Sequence, residues 1–122
     1  MIMTNKEFGK KLEERTKIFA IDIIMLSASI SYNVESKVIK HQVTKSGTSV
    51  GANYREANRS RSKAEFYSKI KISEGEASET IYWLEIAEIV YLKNSDEVKR
   101  LLKECDELLA IFTSIGNKLK SK

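Results

Sequence analysis

The stretch 41–63, HQVTKSGTSVGANYREANRSRSK, decides between a chain that breaks and one that stays helical. Gly47 and Gly51 lie inside it, and each costs about 1 kcal/mol relative to alanine in a helix interior. Apolar spacing nevertheless runs through both: Val38, Ile39, Val43, Val50, Tyr54 and Ala57 stay in helical phase. The helix therefore continues, and close approach of another backbone offsets the glycine cost. KSGTSVG at 45–51 lacks the G-x-x-x-x-G-K-[ST] order of a phosphate loop, and no strand pattern precedes it. It reads as a tight crossing of small residues within a helix over about 34–59.

Outward from this stretch, the same signals place three more helices. Thr4 with Glu7 reads as a capping box opening a helix over about 5–31. Phe8, Leu12, Phe19, Ile23, Leu26 and Ile30 form its core stripe, and Ile18, Ile21 and Met25 add a second apolar face. A monomer's surface helix needs one stripe, so the second face and Tyr82-Trp83 are expected at a contact between copies. Adjacent helical residues point about 100° apart, so one of those two rings packs inside and the other faces outward. Asn33 is the expected N-cap of the second helix. Ser62 with Glu65 opens a third helix over about 62–92, and Asn94 or Ser95 a fourth over about 95–117, followed by a fraying basic tail. On the fourth, Val98, Leu102, Cys105, Leu109, Phe112 and Leu119 follow a heptad seam, widened by Leu101, Leu108 and Ile115.

Short connections between long helices lead to one all-α domain over 1–122, an antiparallel up-down-up-down four-helix bundle. If the second and third helices turn near Arg61, Gly47 faces Gly75, Ser46 faces Glu76 and Asn53 faces Lys69. Gln42, Ser46, Ser49, Asn53, Glu56, Lys69 and Glu76 then form a polar seam that sets register.

Composition narrows the function. The chain has 122 residues, no proline, one cysteine and one histidine. Its longest apolar run is too short for a membrane span, and no cleavable signal pattern precedes it. A single Cys105 excludes an internal disulfide and fits a cytoplasmic protein. It reads as a buried, inert thiol, since no basic group is placed to activate it. Di-iron and di-manganese bundles need Glu-x-x-His pairs on two helices; His41 has no glutamate three before it. Neither a metal, a cofactor nor a catalytic constellation is expected.

The net charge of +4 is unevenly spread: residues 37–71 carry +7 and residues 72–92 carry −5. The basic block is the expected footprint of an anionic partner, RNA or DNA, with Lys37, Lys40, Arg55, Arg59, Arg61 and Lys63 as candidate contacts. The two blocks could equally complement each other within the fold or across a subunit interface.

The combination Gln42-x-x-x-Ser46-x-x-Ser49-x-x-x-Asn53-Tyr54-Arg55-Glu56-Ala57, then Ser62-x-x-x-Phe66-x-x-Lys69, then Glu76-Ala77-x-Glu79-Thr80-x-Tyr82-Trp83-Leu84 resembles the bacterial four-helix bundle proteins encoded in intervening sequences of 23S ribosomal RNA genes. The resemblance runs from Phe19 to the leucine-rich fourth helix; Gly75 departs from it, standing where a larger residue is common. It implies a ring-shaped homopentamer with no known enzyme activity. A related protein, the accessory variability determinant of diversity-generating retroelements, is a basic pentamer that binds nucleic acid and a reverse transcriptase. By that analogy the expected function is non-enzymatic association with nucleic acid; the alternative is a structural or adaptor oligomer that holds a protein partner.

Overall fold

A computed structural model describes residues 5–93 and 95–120. Among the described residues there are four α-helices and no strand: α1 (Asn5–Ala28), α2 (Val34–Ala57), α3 (Lys63–Ala87) and α4 (Asp96–Lys120). A π turn, Glu88–Leu92, extends α3. Thr4, expected to cap α1, and Asn94 lie outside the described residues.

Local chemistry fixes the helix ends. Asn33 and Ser36 form a reciprocal capping box at 2.8 Å in each direction. At α3 the Ser62 hydroxyl accepts from the Glu65 N–H at 3.0 Å, and at α4 Ser95 accepts from the Val98 N–H at 3.3 Å. α1 has no basic residue in its last turn. The Lys40 ammonium of α2 takes that role, donating to the carbonyls of Ser27 and Ile30. Lys93 adopts the left-handed conformation, φ 45°, and ends the π turn. α4 continues to Lys120 rather than fraying after Gly116, with Lys118 and Lys120 in its last turn beside the carbonyl end of the dipole.

Side chains at helical spacing meet in one core. Phe19 and Ile23 of α1, Val43, Val50 and Tyr54 of α2, Ile70 and Leu84 of α3, and Leu101, Leu108 and Phe112 of α4 are all buried. The α4 seam is centred on Val98, Leu101, Cys105, Leu108 and Phe112, while Leu102 and Leu109 flank it half-buried. Val38, expected on the apolar side of α2, is exposed.

Gly47 and Gly51 are crossed closely, but by α1 rather than α3. A Cβ on Gly47 would lie 2.8 Å from Ile23 Cγ2, and one on Gly51 would lie 2.8 Å from Thr16 Oγ1. Gly75 is exposed and has nothing within 4 Å of a Cβ built on it, so it does not face Gly47. Between α2 and α3, Ser46 meets Thr80 at 2.9 Å and the buried Ser73 hydroxyl donates to the Val50 carbonyl at 2.9 Å. This register runs up to a helical turn beyond the one that a turn centred on Arg61 implies.

α1 packs on α2 and α4, and α3 packs on the same two helices, while the backbones of the pairs α1–α3 and α2–α4 stay apart among the described residues and the diagonal is bridged by side chains such as Tyr54 and Phe112, whose rings meet edge-on at 5.5 Å. The α1–α4 seam is the least extensive of the four and carries ion pairs. Arg15 forks onto Glu104 at 2.7 Å and reaches Glu107 at 2.8 Å, and Arg100 reaches Asp22 at 2.9 Å. The Arg15 and Arg100 guanidiniums are pushed further up from their ordinary values, chiefly by the hydrogen bonds to Glu104 and Glu97 respectively.

Candidate functional site

Helix directions place the residues of the basic block at two distant positions. Lys37 and Lys40 occupy the first turns of α2, whereas Arg55 stands in its last turn. Eighteen residues at 1.5 Å each separate Lys37 from Arg55 by about 27 Å. The six candidate cations therefore do not form one surface. Lys40 is further set apart because its ammonium is engaged by α1 carbonyls.

Arg55, Arg59, Arg61 and Lys63 gather where α2 passes into α3, and all four are exposed. Arg59 donates to the Arg55 carbonyl at 3.1 Å and approaches Glu13 at 3.9 Å. Arg55, Arg61 and Lys63 make no ion pair among the described residues. Their guanidinium and ammonium groups are thus open to an anion from solution.

The fold adds cations that are remote in sequence. Lys6 and Lys10 of α1 share a surface groove with Gly9, Glu13 and Asn58, the residue that ends α2. Lys10 and Lys17 line a second groove of about 380 Å³ with Arg55 and Gly51, where Glu13 and Glu14 partly balance them. Lys120 of α4 stands beside Lys63 and the ring of Tyr67 in a third, also of about 380 Å³. An aromatic ring sharing a groove with two lysines combines a stacking surface with positive charge. Helix periodicity carries no sign of these groupings, since their members lie dozens of residues apart. The charge run alone marked one segment of this end.

The polar seam separates into pieces. Ser46 is buried, and its hydroxyl donates to the Gln42 carbonyl at 2.9 Å and meets Thr80. Gln42 itself is half-buried. Asn53 does not reach Lys69: its amide donates to the Ser49 carbonyl of its own helix at 2.9 Å. Lys69 pairs instead with Glu56 at 2.9 Å, and Glu56 is exposed. Glu76 faces Ser49 and Lys45 rather than Ser46. Burial holds its carboxyl above the usual range, with repulsion from Glu79 adding to this and Lys45 and Ser49 opposing it. Thr16 and Ser73, which no sequence pattern named, and Thr80, which stood only in the family pattern, join Ser46 as buried hydroxyls that link or abut neighbouring helices. They resemble core positions in pattern because a hydroxyl bonded to a carbonyl packs much like a methyl group.

Cys105 is buried with its sulfur 3.2 Å from the Ala77 carbonyl. Burial pushes its thiol up to about 12, with Asp106 and Glu104 adding to the effect. Among the described residues no group of three His, Cys, Asp or Glu side chains is placed to hold a metal ion, and no helix is long and apolar enough to cross a membrane.

The second apolar face of α1 is uncovered in the single chain. Ile18, Ile21 and Met25 are 59%, 50% and 66% exposed, and Ile24, which the stripe count passed over, joins them at 47%. On α3, Trp83 is half-buried against the core and its indole N–H donates to Glu79 at 3.0 Å. Tyr82 points outward at 56% exposure, edge-on to the Trp83 ring with centroids 4.9 Å apart.

These features can be set beside known proteins. The model of the family described as "23S rRNA-intervening sequence protein" matches residues 10–114. A crystal structure of a protein of unknown function from the S23 ribosomal protein family of Bacteroides thetaiotaomicron VPI-5482 superposes with a TM-score of 0.78. It is 31% identical and the match covers 85% of this chain and 96% of that one. No curated protein gives a significant match. The match runs from within α1 to within α4, so it takes in the glycine crossing, the turn with its arginines and the Tyr82-Trp83 pair alike: the chain belongs to the 23S rRNA-intervening sequence protein family.

Proposed function

We propose that the protein is a non-enzymatic, cytoplasmic homo-oligomer that associates with RNA or DNA through its basic end. The observation that carries this reading is the set of exposed cations there: Arg55, Arg61 and Lys63 lack ion partners among the described residues, and Lys6, Lys10 and Lys120 stand at the same end. Such a surface contacts phosphates without reading base sequence. The protomer is an up-down-up-down bundle, supported by side-chain pairs whose numbers fall on one helix as they rise on its neighbour. The assembly is a ring, pentameric on the family resemblance, which multiplies a weak contact by repetition. The test is a binding titration of labelled RNA and duplex DNA with Arg59→Glu/Arg61→Glu beside Lys37→Glu. The double variant loses at least tenfold in affinity and Lys37→Glu changes little. Equal losses in both would overturn the assignment to this end.

A second reading, an adaptor oligomer for a protein partner, is favoured by the π turn, where Ile89 and Val90 are 75% and 52% exposed. Capture of one specific protein after nuclease treatment would support it.

A further inference from the structure

We infer that the groove between the start of α3 and the end of α4 takes an unpaired base stacked on Tyr67, a contact that a single strand can make at the basic end and a duplex cannot. This rests on the nucleic-acid reading above and goes beyond it by naming the form of the polymer and the side chain that recognises it.

Three observations converge. The first is placement. Lys63, Tyr67 and Lys71 follow one another at intervals of four on α3, so they share a face of the helix. The end of α4 comes alongside, and Lys63, Ala64, Tyr67, Leu119 and Lys120 line a groove of about 380 Å³. Lys63 stands two residues after Arg61, so the groove continues the basic turn between α2 and α3. Ala64 and Leu119 give it an apolar lining, and the lysines put a positive charge on each of its two helices.

The second is charge. The other two grooves of this end contain Glu13, and one of them Glu14 as well. No carboxylate lines the groove of Tyr67. Glu65 stands about 200° round α3 from both Lys63 and Tyr67, on the far side of the helix. Glu74 is taken up by Lys71 at 2.5 Å and by the Thr113 hydroxyl at 2.7 Å. Lys63 and Lys120 form no ion pair among the described residues. Both are therefore available to the phosphates on either side of a base held between them.

The third is the ring itself. Tyr54 buries its ring against Phe112, and Tyr82 sets its ring edge-on to Trp83. Tyr67 has neither use. It is half-buried, belongs neither to the core nor to the side chains packed against it, and its hydroxyl makes no hydrogen bond among the described residues. Aromatic rings set in a positively charged groove are how proteins hold single strands, because every base offers a π face whatever the sequence. In a duplex those faces are closed by the neighbouring base pairs. The duplex then keeps the phosphate contacts alone, and the single strand adds the ring.

The test titrates the full chain against two labelled probes, an oligothymidylate of about 16 nucleotides and a duplex of the same length, by fluorescence anisotropy over a range of salt. Tyr67→Ala lowers the affinity for the single strand by about fivefold or more and changes that for the duplex by less than about twofold. Its salt slopes match those of the unmodified protein, since stacking releases no counterion. Tyr67→Phe keeps the single-strand affinity. Ala64→Leu, at an exposed position in the first turn of α3, fills the groove without touching the ring and gives the same selective loss; it carries the test if Tyr67→Ala loses its helical signal. Single-strand affinity unchanged in Tyr67→Ala, with binding still salt-sensitive, overturns the inference and leaves the nucleic-acid reading intact. Equal losses on both probes mean a general effect on charge or fold and also overturn it. Binding of neither probe at low ionic strength overturns both.

Discussion

Replacing Gly51 by alanine sets two effects of opposite sign against each other. Helix propensity favours alanine by about 1 kcal/mol. The added methyl would meet Thr16 Oγ1 at 2.8 Å, Thr16 Cβ at 2.9 Å and the Thr16 backbone carbon at 3.2 Å. Thr16 cannot turn away cheaply. It is buried and β-branched, and its hydroxyl is held to the Leu12 carbonyl at 2.9 Å. Relief therefore requires α1 to move away from α2 by several tenths of an ångström along a tightly packed seam. Overpacking of that kind costs about 1–3 kcal/mol. The net expectation is a loss of about 1 kcal/mol, and Gly47→Ala, against the fully buried Ile23, follows the same sign. Urea unfolding followed by far-UV circular dichroism, at one fixed protein concentration, reads the change as a lower midpoint with an unaltered slope. A gain of about 1 kcal/mol in Gly51→Ala would show propensity acting alone. It would refute the close α1–α2 crossing on which the account of the glycines rests.

Lys40→Met should lower stability by about 1 kcal/mol, because the last carbonyls of α1 lose a charged donor; it should leave nucleic-acid affinity unchanged, which filter binding would check. Cys105 should resist a thiol reagent at pH 8 in the native protein and react fully in denaturant, since burial keeps it protonated; rapid native labelling would contradict its burial. Glu76 has a folded pKa raised above its ordinary 4.5. Its contribution to stability is therefore greatest below that value and falls as pH rises through the folded one. Glu76→Gln should remove this fall and leave the acid-side loss from Glu74, whose carboxyl is lowered by Lys71 and Thr113. Paired denaturation curves from pH 4 to 8 would show both signs.

Much of the fold was legible because its signals are local. Asn33, Ser62 and Ser95 cap where hydroxyl and amide side chains precede apolar periodicity, and helical phase carries α2 through two glycines. What periodicity lacks is the identity of the neighbour. It shows that Gly47 needs a close partner but not that Ile23 supplies it. It counts Val38 with the core, yet adjacent residues point about 100° apart and Ile39 is the one turned inward, while the end of the helix is itself covered, with Ser36 fully buried. The π turn has no local marker, as one extra residue in a turn leaves composition untouched. Lys40 looked like its basic neighbours in sequence, yet it serves carbonyls of another helix. The basic end was half legible: Arg55 to Lys63 form a run, while Lys10 and Lys120 reach it through folding alone.

The central claim is that this end binds nucleic acid by phosphate contact. The most direct measurement is the affinity for a labelled DNA duplex of arbitrary sequence as a function of salt. Neutralising four phosphates predicts that log K falls against log salt with a slope of about −3.6, steeper when several protomers engage. Arg59→Glu/Arg61→Glu should flatten that slope. Absence of binding at low ionic strength, or an affinity indifferent to salt, would contradict the account.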